Sequence, residues 1–333
     1  EAGAHVVTAN KQLIAHEGDA LLQLAAARGR HLAFEASVAG GIPVLRAIGE
    51  GLAADRITRV TGILNGTCNF ILTRMADEGL SFDEALRQAQ AAGFAEADPT
   101  DDLEGFDARA KLCVLARVAL RRAVLPGAVT CRSIRPIADI DFVYADRLGC
   151  TIRQVSRAEI LGDGQPLVAW VQPALVRREH ALASVSRNQN MVITTGEHGG
   201  DVAFSGFGAG GRPTAVAVVS DVIAIARTSA ASSGAPGHTV APAEVTDRFP
   251  SPHYVRFVVD DRPGIVAALA GELAAEHINI DALLQEPARD KSALPFVVTL
   301  EECDPAALAR ALDRIARLDF HRQPPLAMPV IGA

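Results

Sequence analysis

The chain has 333 residues, of which 49% are hydrophobic and 21% charged, and a formal net charge of −7 at pH 7. A chain of this length predicts about two or three domains with buried cores. Acidic and basic residues are interspersed, which argues against the basic face that nucleic-acid binding requires. No apolar run reaches the roughly 18 to 20 residues of a membrane-spanning helix.

The cysteines lie at wide and irregular spacing, which indicates neither a disulfide framework nor a zinc site. They are Cys68, Cys113, Cys131, Cys150 and Cys303. A reducing cytoplasm is therefore the expected location. The first residues show no signal peptide and no initiator methionine, so we expect the sequence to begin inside a longer one.

Residues 5–36 predict one βαβ unit of a parallel sheet. A short strand over 5–8 leads through a turn into helical apolar spacing over 12–30, and a second strand follows over 32–36. One such unit is less than a domain, so earlier strands are expected before it.

The middle of the chain predicts helices mixed with a sheet. The expected helices are one that ends at residue 52, one that begins after residue 64, and helices over 82–93 and 107–122. The expected strands are 57–63, 129–134, 152–157, 168–173, 191–195 and 201–205.

A glycine-rich turn and an apolar helix over 205–227 are followed by a segment rich in Ser, Ala, Pro and Gly, which predicts a linker. Order resumes with strand 254–259, helix 265–276, strands 278–285 and 294–299, helix 305–317 and a short strand near 327–331. This βαββαβ order is the ferredoxin-like arrangement, and it predicts a separate small domain.

The stretch 96–111, EADPTDDLEGFDARAK, carries the strongest chemical signal. It contains the carboxylates of Glu96, Asp98, Asp101, Asp102, Glu104 and Asp107 and ends in Lys111. Asp107 and Lys111 are four residues apart, so both project from one face of the helix that follows. Such a loop suits a small substrate with an ammonium and a polar reacting group. A simple ion pair predicts the same spacing, and both interpretations stand at this point.

Three further positions each allow a functional and a plain structural interpretation. Lys11 follows a strand, at the edge where open α/β sheets bind ligands, but a solvated lysine would lie there too. The turn Asn65-Gly66-Thr67 either caps a helix or presents amides and a hydroxyl to a substrate. The turn at 260–264, DDRPG, either caps a helix or holds an amino-acid carboxylate at its N-terminus.

Residues 206–211, GFGAGG, match the G-x-G-x-x-G pattern between a strand and a helix. A linker follows the helix, whereas a dinucleotide fingerprint needs a second strand and an acidic residue about 20 positions on. The context therefore argues against a true fingerprint, although bare amides at a helix N-terminus still suit an anion.

Five segments combine into one pattern. They are VVTANK (6–11), EASVAGGIP (35–43), GILNGTCNFIL (62–72), GFAEADPTDDLEGFDARAK (93–111) and GFGAGGRPTAVAVVSD (206–221). In order and spacing they resemble the motifs of homoserine dehydrogenases, and the tail resembles the ACT regulatory domain of bacterial members. The sequence differs from the family pattern at its N-terminus. Family members carry a longer stretch there, which includes the NAD(P)-binding strand–GxGxxG–helix.

The resemblance implies an α/β and α+β architecture. Its parts would be the remnant of a Rossmann-type NAD(P)-binding domain (1–37), a mixed-sheet catalytic and dimerisation domain (38–204), a glycine-rich turn and helix that return to the nucleotide-binding domain (205–228), a linker (229–250) and a ferredoxin-like ACT domain (251–331). We expect a homodimer or homotetramer. The choice between NAD and NADP is left open.

The resemblance also implies NAD(P)-dependent reduction of L-aspartate 4-semialdehyde to L-homoserine, in threonine, methionine and isoleucine biosynthesis. Hydride addition to the aldehyde develops alkoxide charge that an ammonium can stabilise or protonate. The matched catalytic residues are Lys111 and Lys11. The matched substrate residues are Glu96, Asp102, Asp107, Gly66 and Thr67.

Three further sets are carried over in the same way. The cofactor set is Lys11, Thr8, Asn10, Gly208 and Gly210. A monovalent cation, such as sodium, would be held by Glu35, Val38, Gly40 and Ile42, mostly through main-chain oxygens. The effector set, with threonine as the expected effector, is Asp261, Pro263 and Gly264.

Two alternatives to this function remain open in the sequence. One is a non-catalytic amino-acid-binding regulator derived from this family, and the other is a dehydrogenase acting on a related amino acid. A turnover assay with aspartate semialdehyde and NAD(P)H separates the three.

Overall fold

The computed structural model describes residues 3–162, 164–228, 240–286 and 292–332. The helices are α1 (Lys11–Ala27), α2 (Val44–Arg46), α3 (Gly66–Glu78), α4 (Phe82–Ala91), α5 (Thr100–Leu103), α6 (Phe106–Ala119), α7 (Asp139–Arg147), α8 (Gly211–Arg227), α9 (Ile265–Ala275) and α10 (Pro305–Ile315). Within these described ranges, no helix is both long and apolar enough to cross a membrane.

Strands are numbered in chain order. They are β1 (Val6–Val7), β2 (Leu32–Ala33), β3 (Ile57–Ile63), β4 (Arg122–Ala123), β5 (Thr130–Cys131), β6 (Cys150–Ile160), β7 (Leu167–Arg177), β8 (Gln189–Gly196), β9 (Gly200–Phe207), β10 (Ala241–Pro242), β11 (Val245–Thr246), β12 (Ser251–Val259), β13 (Ile280–Gln285), β14 (Leu294–Cys303) and β15 (His321–Ile331).

The N-terminal segment forms the predicted βαβ unit. β1 and β2 pair in parallel with α1 between them, and Asn10 caps α1 by accepting the amide N–H of Leu13 at 3.0 Å. α8 returns to this unit and packs against β1 and the short 3-10 turn Glu35–Ser37.

The middle of the chain is built on a sheet in which β7, β6, β3, β8 and β9 are neighbours and pair antiparallel. One apolar core joins α1, α2 and α6 to the sheet, and a second gathers α3, α4 and α7. Because α6 packs across β3, β6 and β7, its first turn lies where β3 gives way to α3.

The tail has the predicted βαββαβ order. Its antiparallel strands lie in the order β13, β14, β12 and β15, with α9 and α10 packed against them over a separate apolar core. The ferredoxin-like arrangement expected from the sequence is confirmed.

The tail sheet continues into the middle sheet. Val330 and Ile331 of β15 pair in parallel with Leu175 and Val176 of β7, which makes one sheet of eleven strands. The sequence predicted a separate domain and gave no sign of this pairing, because strand partners at such separation are set by packing.

Four segments differ from the sequence predictions. The expected strand 129–134 is a two-residue strand, β5, after a 3-10 turn, and the helix expected up to residue 52 is α2 followed by a π-turn, Ala47–Gly51. α7 was not predicted.

The predicted linker 229–250 lies partly outside the described residues. Its described part forms β10, which pairs with β4, and β11, which pairs with β7.

Candidate active site

The acidic motif folds into two helices joined at Gly105. α5 carries Asp102, and α6 begins after Gly105, whose φ is 82°. Asp107 lies in the first turn of α6 and Lys111 one turn later. The Lys111 ammonium lies 2.8 Å from Oδ2 of Asp107 and donates a second hydrogen bond, of 2.9 Å, to the carbonyl oxygen of Leu64. Lys111 is thereby fixed between α6 and the end of β3.

Lys11 reaches the same carboxylate from the N-terminal βαβ unit. It is the first residue of α1, and its ammonium lies 3.2 Å from Oδ1 of Asp107. The chain has three lysines, and two of them share this aspartate. The side chain of Lys11 is 33% exposed and that of Lys111 is 12% exposed, so Lys11 lies nearer the solvent.

The electrostatics of Asp107 keep it charged. Burial raises its pKa, but the Lys111 charge and hydrogen bond, the Lys11 charge and a hydrogen bond from Asn65 outweigh burial, so the pKa lies below its ordinary value. An ionised Asp107 holds both ammonium groups in place. Two positive charges around one carboxylate leave a positive potential where a substrate oxygen would gain negative charge.

Asn65 belongs to this site, and it comes from the turn Asn65-Gly66-Thr67, for which the sequence allowed both a capping and a substrate-binding role. Its Oδ1 accepts the amide N–H of Cys68 at 2.8 Å and caps α3. Its Nδ2 donates to Oδ1 of Asp102 at 2.6 Å and to Oδ2 of Asp107 at 2.8 Å. The capping signal was present in the sequence, but the partners of the amide donors depend on how α6 packs against β3.

Asp102 lies beside this cluster and keeps free acceptor capacity. Burial raises its pKa, the hydrogen bond from Asn65 lowers it and the charge of Asp107 raises it, so the pKa lies above its ordinary value. Within the part of the chain that the structure describes, no Lys, Arg or His forms an ion pair with Asp102. A cationic ligand group is therefore a suitable partner for it.

The other predicted substrate residues, Gly66, Thr67 and Glu96, do not contact Asp107. Gly66 is the first residue of α3. The Thr67 hydroxyl donates to the carbonyl oxygen of Phe94 at 2.7 Å. Glu96 is exposed, and no hydrogen bond or ion pair within the described residues joins its carboxylate to the cluster.

Asn190 of β8 is a further residue of this site, and it was not predicted. It is fully buried, and its Nδ2 donates to the carbonyl oxygen of Leu64 at 3.0 Å, the same oxygen that accepts from Lys111. A side chain at position 208 would overlap Asn190, so Gly208 allows the glycine-rich turn to approach it. No sequence pattern distinguished Asn190 from an ordinary strand residue.

The predicted cofactor residues fall on two segments, the start of α1 and the glycine-rich turn before α8. The hydroxyl of Thr8 accepts the amide N–H of Asn10 at 3.1 Å, and Asn10 caps α1 beside Lys11. Gly208 is buried, and Gly210 is the exposed N-cap of α8. Both segments therefore end in helix N-termini, which suit phosphate groups.

The predicted cation loop lies directly under the glycine-rich turn. Gly40 has a φ of 55°, and a Cβ there would come within 2.7 Å of the carbonyl group of Gly208. Val38 and Gly40 are buried, and no described residue donates a hydrogen bond to their carbonyl oxygens. Buried and unpaired carbonyls fit a small cation.

The side-chain carboxylate of Glu35 binds main-chain amides, whereas its main-chain carbonyl oxygen belongs to the predicted cation site. Its two oxygens accept the amide N–H groups of Leu45 and Arg46 at 2.8 and 2.9 Å, at the start of α2. Burial raises the pKa of Glu35, and these hydrogen bonds oppose the rise. No group of three or more His, Cys, Asp or Glu side chains suited to a metal occurs within the described residues, so a cation here would depend on main-chain oxygens.

The predicted effector turn lies between β12 and α9. A cavity of about 260 Å³ opens beside it, lined by Asp261, Gly264, Gln285 and Phe296 among others. Gly264 is the N-cap of α9 with a φ of 93°. The turn is thus an open helix N-terminus over a cavity.

Two ammonium groups on one ionised carboxylate, beside the carboxylate of Asp102 and next to a βαβ unit, suit an oxidoreductase that acts on a small amino acid. The comparisons with known proteins agree. The homoserine dehydrogenase family model matches residues 43–223, and the ACT domain model matches residues 253–320.

Relatives give the same result. The homoserine dehydrogenase of Mycobacterium leprae is 41% identical, over 96% of this chain and 75% of its own length. The crystal structure of a homoserine dehydrogenase from Thiobacillus denitrificans is similar with a TM-score of 0.90 and 33% identity, over 98% of this chain and 76% of that one. A hyperthermophilic archaeal homoserine dehydrogenase in complex with NADPH is similar with a TM-score of 0.58 and 30% identity, over 67% of this chain and 64% of that one.

The chain belongs to the homoserine dehydrogenase family. It is an NAD(P)-dependent oxidoreductase of amino-acid biosynthesis that interconverts L-aspartate 4-semialdehyde and L-homoserine, and it carries a C-terminal ACT domain.

Proposed function

We propose that Lys111 and Lys11 act on the carbonyl oxygen of the substrate, one by donating the proton and the other by stabilising the developing alkoxide. The observation that carries this proposal is their convergence on Asp107, at 2.8 and 3.2 Å. An ammonium held beside an ionised carboxylate is fixed in orientation, as a general acid must be. Lys111 is the more buried of the two, and we assign it the proton donation.

The carboxylates bind the α-ammonium of the substrate in this proposal. Asp102 is half-buried, forms no ion pair with a described Lys, Arg or His, and is joined to Asp107 through the amide of Asn65. A substrate ammonium at Asp102 would place the other end of the short amino acid toward the lysines. The proposed substrate-binding residues also include Gly66, Thr67 and Glu96, of which Glu96 lies on an exposed loop.

When bound, NAD(P) supplies or accepts the hydride. We propose that Thr8, Asn10 and Lys11 bind it on one side and that Gly208 and Gly210 approach it on the other. The related archaeal enzyme was solved with NADPH. The choice between NAD and NADP is not assigned.

The outer face of the N-terminal unit supports the proposed nucleotide-binding domain. Apolar residues of α1 and α8 are exposed there: Leu13, Leu24, Val216, Val219, Val222 and Ile223. Exposed apolar side chains of this kind suit packing against more protein. We therefore keep residues 1–37 and 205–228 as parts of a nucleotide-binding domain, 38–204 as the catalytic domain, 229–250 as the connection and 251–331 as the ACT domain.

The proposed cation is a sodium ion held by main-chain oxygens of Glu35, Val38, Gly40 and Ile42. The unpaired carbonyls of Val38 and Gly40 support it. A cation there would fix the loop against Gly208, and so position the proposed cofactor turn.

The remaining parts of the proposal concern regulation and assembly. Threonine is the proposed effector, at the turn of Asp261, Pro263 and Gly264 beside its cavity. A homodimer or homotetramer is proposed through the middle sheet, where β9 forms an edge strand. A cytoplasmic location is supported by the five cysteines, all of which are free.

The test is turnover of the intact gene product with aspartate semialdehyde and NAD(P)H, with wild type compared to Lys111→Ala and Lys11→Ala. Loss of turnover in both variants, with the fold kept, supports the two roles. Normal turnover of either variant removes that lysine from the mechanism. Amino-acid binding without any turnover in wild type would favour the regulator instead.

A further inference from the structure

Asn65 lies at the centre of the charged cluster and touches both carboxylates. Its side chain is buried, with a relative exposure of 3%. The cap contact from Cys68 to Oδ1, at 2.8 Å, decides which way the amide points. The NH₂ group must then face away from the helix, toward Asp102 and Asp107.

The amide uses both of its N–H donors, one on each carboxylate. The distances are 2.6 Å to Oδ1 of Asp102 and 2.8 Å to Oδ2 of Asp107. Two like charges so close repel each other, and a donor between them offsets part of that repulsion. Asp107 has two lysines as well, whereas no described Lys, Arg or His forms an ion pair with Asp102, so the amide of Asn65 is the strongest donor to Asp102, ahead of the Thr67 hydroxyl.

The same stretch of chain also sets Lys111. The ammonium of Lys111 contacts the carbonyl oxygen of Leu64 and Oδ2 of Asp107, and that oxygen also accepts from Asn65. Residues 64 and 65 therefore hold Lys111 twice, once through the main chain and once through Asp107. The other oxygen of Asp107 is left for Lys11.

We propose that Asn65 is a positioning residue for the reaction: its amide holds Asp102 and Asp107 as a pair of ionised carboxylates and so fixes the substrate ammonium and the two lysines at a set separation. The inference rests on the proposed roles of these four groups. In addition, a single side chain, that of Asn65, both caps α3 and sets the geometry of the active site.

The charged and titratable groups that face the pair come from four elements. They are Lys11 at the start of α1, Lys111 on α6, the Cys68 thiol on α3 and the two aspartates themselves. Without the Asn65 donors, Asp102 keeps the burial and the repulsion from Asp107 and loses its main stabilising hydrogen bond. The pKa of Asp102 then rises. Once Asp102 is protonated, it no longer binds the substrate ammonium as a charged partner.

The experiment compares Asn65→Ser and Asn65→Asp in the intact gene product, because both keep an oxygen that caps α3 and both lack the amide donors. The acid limb of the kcat/KM profile should move up by about one pH unit or more, and kcat should fall by about tenfold or more. The shift should be larger for Asn65→Asp, which adds a third carboxylate.

Ser81→Ala is the matched control, because it removes the cap of the neighbouring helix α4 without touching the cluster. Its pH profile should stay that of wild type at a comparable loss of thermal stability. A wild-type profile and kcat in a folded Asn65 variant would overturn the proposal. If Asn65→Ser does not fold, the profile of Asn65→Asp tests the proposal. If instead the proposed roles of the lysines are wrong, Lys111→Ala will show normal turnover, so the two failures can be told apart.

Discussion

Asp141 of α7 and Arg256 of β12 form a buried ion pair between the middle of the chain and the ACT domain. Nη1 of Arg256 lies 2.8 Å from Oδ2 of Asp141, and the two side chains are 5% and 0% exposed. The hydroxyl of Tyr254 donates to the other oxygen at 2.6 Å. Burial raises the pKa of Asp141, which the charge of Arg256 opposes. The ACT domain is therefore fastened by a charge pair as well as by the shared sheet.

Hydrogen bonds connect this ion pair to the helix that carries Asp102. Arg256 also donates to the carbonyl oxygen of Pro136 at 2.9 Å, and two residues earlier the amide N–H of Ile134 donates to the carbonyl oxygen of Leu103 at 3.1 Å. Leu103 is the neighbour of Asp102 on α5. One short segment thus joins the ACT domain to the helix that carries a proposed substrate carboxylate.

Breaking this pair should destabilise the protein strongly. Arg256→Met leaves Asp141 buried without its partner and should lower the free energy of unfolding by about 3 kcal/mol or more. The double variant Asp141→Leu with Arg256→Met removes both charges and should recover most of that loss. Denaturant unfolding measures both. A single variant within about 0.5 kcal/mol of wild type would contradict the expectation.

Lys111→Ala should lower kcat by about a hundredfold to ten-thousandfold, because it removes the proposed proton donor. Circular dichroism should show an unchanged fold. The matched control is Lys291→Ala, which removes the third lysine of the chain and should leave kcat unchanged. Equal kcat values for the two variants would remove Lys111 from the mechanism.

Asp102→Asn should raise KM and lower kcat/KM by about a hundredfold, because the substrate ammonium loses its charged partner. In the wild type, kcat/KM should fall as the pH drops through the raised pKa of Asp102. That acid limb should be lost in the variant. Asp101→Asn, at the exposed neighbouring position, serves as the control and should behave as wild type. An unaltered KM in Asp102→Asn would count against this role.

Threonine binding should depend on the turn before α9. Gly264 has a φ of 93°, which a side chain strains, so Gly264→Ala should distort the N-terminus of α9 and weaken binding by about tenfold or more. Gly271→Ala, within the same helix and in open space, is the matched control and should bind normally. Isothermal calorimetry measures both. Wild type that gives no saturable heat would exclude threonine as the effector.

The stability of the fold should fall in mild acid because of His253. Burial lowers its pKa from 6.5 to about 4, with the Arg132 charge adding to the effect and a contact to the Ser251 carbonyl opposing it. The unfolded chain therefore binds a proton that the folded chain does not between pH 6.5 and about 4. Stability should decrease as the pH falls through this window, by up to about 3 kcal/mol. His253→Gln should flatten that dependence in thermal unfolding, and an unchanged slope would contradict it.

Local patterns in the sequence predicted most of the elements and the central acid–lysine pair. Asp107 and Lys111 lie four residues apart on one helix, so their contact follows from helix geometry. The βαβ unit and the βαββαβ tail follow from hydrophobic periodicity and turns. The short strand at 130–131 and helix α7 were not predicted correctly, because neither has a clear periodic pattern.

Residue types and spacing alone thus determined the acidic helix, the lysine on it and the family they resemble. Tertiary structure decided the rest of the site: that Lys11 reaches Asp107 across 96 positions of chain, that the donors of Asn65 meet two carboxylates, and that β15 joins the ACT sheet to β7. Such contacts join residues far apart in the sequence, and packing of α6 and the sheet sets them. No local pattern records which partner a buried amide or an edge strand will find.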